Sequence, residues 1–145
     1  MKEPAHHLRK AIIDHLFGSV SLNQQTVQIY NKVPQNASEP YIKVYTVSSG
    51  ESEFNRDSKM VDTLIRIECV TSFDVQAGGE YHVNQLVSQV YNLLRVDPSN
   101  YLDLSAEGLY IYSLLIGQTT YLEEYTNGKT YYRAVISVEI KTNEQ

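Results

Sequence analysis

Tryptophan is absent, cysteine occurs once, and the 145 residues contain neither a long apolar run nor a basic run longer than two. A single thiol, Cys69, excludes an internal disulfide and suits a reducing compartment such as a cytoplasm. No apolar run approaches the roughly 20 residues that span a bilayer, so a membrane protein is not expected. Met1–Lys10 carries charge with no apolar segment after it, so no secretory signal is expected either, and the sequon Asn36-Ala37-Ser38 reads as a chance match. With a net charge of −5 and no basic cluster, the chain lacks the electrostatic footprint of a nucleic-acid binder.

What is present organises around residues 60–95. Val61, Thr63, Ile65, Ile67 and Cys69 alternate with Asp62, Arg66 and Glu68, which is the period of a strand with one apolar face. After Gly78-Gly79, the residues Val83, Leu86, Val87, Val90, Leu93 and Leu94 recur at helical spacing, and Asp97-Pro98 ends the run. An opening helix is read from Leu8, Ala11, Ile12 and Leu16, closed by Gly18. Strands are expected at 27–33 and 41–47, the second antiparallel to the first, and at 109–116. Asn127-Gly128 predicts a type I′ hairpin turn into a last strand, 130–140. The polar stretch 48–59 reads as a mobile surface loop. The order α-β-β-β-α-β-β predicts one domain, 1–145, of α+β class: a mostly antiparallel sheet with two helices packed on one face.

Residue chemistry yields no active site. His6, His7 and His15 do not stand one helical turn apart as a His-x3-His metal pair does, so no metal is expected. Cys69 falls on the core face with no partner thiol and reads as inert. Asp62, Glu123 and Glu124 read as solvated charge. Gly78-Gly79 precedes a helix but carries none of the other residues of a phosphate loop. The 12 tyrosines, six of them at 110, 112, 121, 125, 131 and 132, suit base stacking, but the basic groove that accompanies stacking is missing. They suit a half-buried sheet or a protein interface instead.

Taken in order, the chain resembles the siphophage tail terminator, or tail-completion, family of neck proteins. The resemblance is carried by the helix Leu8-Arg9-Lys10-Ala11-Ile12-Ile13-Asp14-His15-Leu16, by Val27-Gln28-Ile29-Tyr30-Asn31-Lys32-Val33-Pro34, and by Pro40-Tyr41-Ile42-Lys43-Val44. The strand Asp62 to Thr71, a glycine break, the helix Glu80 to Leu94 and the strand Tyr132 to Ile140 complete it. It implies a non-enzymatic virion subunit without cofactor, forming a ring, typically a hexamer, that caps the tail tube and joins it to the head connector. The implied partners are further copies of itself, the tail tube protein and a head-completion protein; DNA passes through the ring without sequence-specific binding. The segment 96–129 is longer than the resemblance leads one to expect. The rival reading is a non-catalytic domain binding a small molecule or peptide between helix and sheet.

On the ring reading, apolar surface on the outward sheet face is expected to meet a neighbouring subunit. Leu64, Val70, Tyr121, Tyr125, Tyr131 and Arg133 are the candidate contact residues. Glu51, Glu53, Phe54, Arg56 and Asp57 form a candidate assembly loop, expected to become ordered only in the assembly.

Overall fold

A computed structural model describes residues 3–51, 60–74, 78–95 and 102–144. Helix α1, Ala5–Leu16, buries Ala5, Leu8, Ile12 and Leu16, the stripe that the three- and four-residue spacing specifies. A small hairpin follows, β1 (Ser21–Leu22) and β2 (Gln25–Thr26), turned by Asn23 and Gln24 at φ 53° and 68°. Positive φ at both central residues is the type I′ geometry.

Five strands make the main sheet: β3 (Gln28–Tyr30), β4 (Tyr41–Glu51), β5 (Met60–Asp74), β6 (Leu109–Thr126) and β7 (Lys129–Glu144). Their spatial order is β3-β4-β5-β7-β6. Every pairing is antiparallel except β3 with β4, which is parallel, against the antiparallel pairing expected of those two segments. Turn composition between two strands shows that the chain reverses, but not on which side it returns. The fold is α+β as expected, with both helices on one sheet face.

Helix α2, Tyr81–Leu94, buries Val83, Leu86, Val87, Val90 and Leu94 over β5 and β7. Each such side chain contributes about 1.5–3 kcal/mol on leaving water. The sheet meets them with Ile65, Ile67 and Cys69 from β5 and with Ala134, Ile136, Val138 and Ile140 from β7, all fully buried. α1 packs over β3 and β4 against Ile29, Ile42 and Val44. The His15 ring nitrogen Nε2 lies 2.7 Å from the Leu93 carbonyl, joining the two helices.

Two expected boundaries are corrected. β4 continues to Glu51, so 48–51 is strand, paired with 61–64 beyond a bulge at Thr46/Ser48; the well-patterned β5 imposes the ladder on a polar neighbour. The rest of that expected loop, 52–59, lies outside the described residues, as do 96–101. β6 likewise runs on from Ile116 to Thr126 because β7 pairs with it down to the turn, where Asn127 and Gly128 have φ 51° and 75°. The two faces of 117–126 are both exposed, so no apolar period marked them. Much of the segment that looked too long, 96–129, is therefore strand, preceded by a 3-10 turn at Ser105–Glu107.

Candidate functional site

No group of three or more His, Cys, Asp or Glu among the described residues is arranged to hold a metal ion. Cys69 is fully buried, and burial, with the Glu68 carboxylate adding to it, pushes its thiol up to about 12. It is held protonated and away from any reagent. The layer between helices and sheet, where a ligand would sit on the rival reading, is filled by buried side chains such as Ile67, Val87 and Ile136. An open depression of about 310 Å³ lies instead on the solvent side of α2, along Tyr81, Asn84, Gln85, Ser88 and Gln89. No helix of the described residues is long and apolar enough to cross a membrane.

Chemistry concentrates on the sheet face turned away from the helices, and it is charged rather than apolar. Arg133 on β7 donates from Nη1 to Glu68 Oε1 on β5 at 2.8 Å, and its Nε stands 3.5 Å from Glu124 Oε2 on β6. Its guanidinium also lies 6.0 Å from the centre of the Tyr131 ring. Farther along the same face, where β7 pairs with the start of β5, Lys141 donates to Asp62 Oδ1 at 2.9 Å and approaches Glu139. Lys43 sits 5.1 Å from the centre of the Tyr45 ring. Cross-strand register places Lys141 opposite Asp62 and sets Arg133 diagonally to Glu68 and Glu124, which is why single charges scattered along the sequence become pairs.

This arrangement corrects the expected contact set. Val70 points outward, as the alternation requires, yet is 1% exposed. It lies between Tyr41 and Arg133 in the ladder, whose longer side chains flank it on the same face. Val70 therefore offers nothing to a neighbour. Leu64, Tyr131 and Arg133 share the outward face and are each half-buried. Tyr121 and Tyr125 do not share it: Tyr121 pairs with Ala134 and Tyr125 with Thr130, both on the helix side. Desolvation raises the Tyr121 hydroxyl above its ordinary value, with Tyr91 and Glu80 of the helix region adding to it, which agrees with that side. Of the assembly-loop residues, Glu51 is the exposed end of β4, while Glu53, Phe54, Arg56 and Asp57 lie outside the described residues.

The free surface is the edge. β6 ends the sheet, and of the nine large apolar side chains exposed among the described residues, six stand on it: Tyr110, Tyr112, Leu115, Tyr121, Leu122 and Tyr125. Its 18 residues include no Pro, Lys or Arg, the residues that commonly blunt an edge strand. Two irregularities, at Ile111/Ser113 and Ile116/Thr119, interrupt its ladder to β7. The sequence reading places Tyr110 and Tyr112 among the tyrosines suited to a sheet or an interface but leaves them, with Leu115 and Leu122, out of the contact set, because an edge is defined by which strand has no second neighbour.

No protein-family model matches the chain. No curated protein matches it either. The functional reading therefore rests on the edge, the charged ladder and the order of elements.

Proposed function

We propose that this chain is a ring-forming structural subunit of a siphophage neck, a tail terminator or tail-completion protein that caps the tail tube and joins it to the head connector. The observation that supports it most is the edge strand β6, paired on one side only, which carries six of the nine large apolar side chains exposed among the described residues. A soluble subunit keeps such an edge bare when a neighbour is to cover it. Head-to-tail contacts between like subunits close into a ring when the rotation permits, and six is the number the resemblance implies. The partners on this reading are other copies of the chain, the tail tube protein and a head-completion protein. DNA passes through without sequence-specific binding, which suits a chain of net charge −5. The subunit acts in the virion neck after synthesis in the host cytoplasm, and no cofactor or catalytic residue enters.

The test is mass spectrometry of purified particles together with images of their necks. The chain is expected in the particle at a few copies, in a ring at the head-proximal tail end. Its absence from purified particles overturns the reading.

A further inference from the structure

We infer that the free chain forms a two-fold dimer in which β6 pairs antiparallel with β6 of a second copy, about an axis beside Gly117 and Gln118. The inference stands on the strand itself and not on the neck reading. Alternate residues of an edge strand turn their N–H and C=O groups away from the sheet, and a second strand satisfies them.

The register decides the occupant. The ladder to β7 puts Ser113, Leu115, Thr120 and Leu122 on the outward face and Leu114, Ile116, Thr119 and Tyr121 on the helix face. A two-fold axis normal to the sheet keeps faces matched. Centred beside Gly117 and Gln118, it sets Ile116 opposite Thr119 of the second copy, Leu115 opposite Thr120, Leu114 opposite Tyr121 and Ser113 opposite Leu122. All four pairs match in face, and the irregularity at Ile116/Thr119 falls on the axis. Beyond the irregularity at Ile111/Ser113, Glu123 and Glu124 lie beside Ile111 and Tyr110 of the second copy. An in-register parallel pairing would instead stack those carboxylates on themselves, which is unfavourable.

Area points the same way. Side chains of this size are worth about 200 Å² each, so six that are about half exposed present about 600 Å² of apolar surface. A stable interface removes about 800 Å² from each partner, and the backbone and Thr side chains of the strand supply the remainder. The dimer occupies the edge that a ring contact would use, so a subunit held this way stays out of assembly until the pair opens.

The experiment uses the full chain. Native mass spectrometry and light scattering across concentration are expected to find a dimer. Gln118→Cys, next to the axis, is expected to oxidise to a covalent dimer, because its two thiols lie within disulfide reach, while the native Cys69 is buried. Glu124→Cys is expected not to link to itself, but to link to Tyr110→Cys when the two variants are mixed. Leu115→Lys is expected to weaken the dimer about a hundredfold, since each substitution counts twice across a two-fold axis, with an unchanged circular dichroism spectrum. A monomer at high concentration overturns the inference. So does an oligomer in which Gln118→Cys fails to self-link, which would indicate head-to-tail contact and leave the neck reading in place. A self-linking dimer that is absent from purified particles supports the inference and overturns the neck reading.

Discussion

Replacing Ile67 by Ala tests the register of the whole sheet. Ile67 is fully buried at the middle of β5, opposite Val44 of β4 and Ile136 of β7. The substitution deletes three carbons, worth about 2.4 kcal/mol at about 0.8 kcal/mol for each CH₂ removed from water. Collapse into the space is limited because both flanking strands are paired to β5 on either side of Ile67. A cavity contribution therefore adds, and the loss comes to about 4 kcal/mol, inside the usual range of about 2–5. A domain of this size has about 5–15 kcal/mol in total, so the variant stays folded but is weakened. In urea, with a slope of about 2 kcal/mol per molar, the midpoint falls by about 2 M at unchanged slope. Asn84→Ala, on the exposed side of α2, serves as the control and moves stability by no more than about 0.5 kcal/mol. If Ile67→Ala unfolds at the wild-type midpoint with the wild-type slope, Ile67 does not face the helices and the face assignment of β5 is wrong.

Val87→Ala, which removes two carbons from the facing helix, costs about 2–3 kcal/mol in the same assay, and a loss larger than that of Ile67→Ala would contradict the packing described. Gly128→Ala costs about 1 kcal/mol in a thermal melt through its φ of +75° alone, since open space surrounds the added carbon; an unchanged melt would show that the turn adopts another form. The Cys69 thiol is raised from 9.0 to about 12 by burial, so the unfolded thiol ionises first. Its stabilisation is whole below pH 9.0 and drains as pH climbs toward 12, by about 1.4 kcal/mol per unit. The stability difference between wild type and Cys69→Ala thus narrows by about 2 kcal/mol between pH 8 and 10.5, and a pH-independent difference refutes the burial argument. Glu68→Gln costs about 1 kcal/mol at low salt, a figure kept small because the Arg133 side chain is 29% exposed, and equal loss at low and high salt would show that charge is not the cause.

The elements legible in the sequence were those with one buried and one wet face. The alternation of β5, the helical spacing of α2 and the Asn127-Gly128 turn each carry a local signal that tertiary packing then obeys. The distal part of β6 carried none, because its Gln118-Thr119-Thr120-Tyr121-Leu122-Glu123-Glu124-Tyr125 run is exposed or half-exposed throughout and is held by β7. The parallel side of β3 and the two-residue strands β1 and β2 were hidden for a related reason: a few residues of ladder depend on where the chain returns. In the contact set, Val70 failed because strand period says which way a side chain points, not whether a neighbour such as Arg133 reaches over it. Tyr121 and Tyr125 are exposed on the edge but on its helix side, a placement set by their register with Ala134 and Thr130, which the local pattern of β6 does not supply.

The place of β7 between β5 and β6 has a consequence for how the chain acquires its shape during synthesis. β5 must pair with a strand whose residues follow it by about 50 to 80 positions, as Asp74 with Lys129 and Met60 with Asn143. Closing loops of that length is slow, and folding rates fall as such distant pairings come to dominate. A ribosome that has released β4, β5 and α2 has therefore produced a half-sheet whose inner edge is bare and whose apolar layer is open along one side. Chaperone demand should peak in that interval and end when residues 129–144 emerge and insert. Slowing translation just before Lys129 would lengthen the exposed interval, and slowing it before Met60 would not.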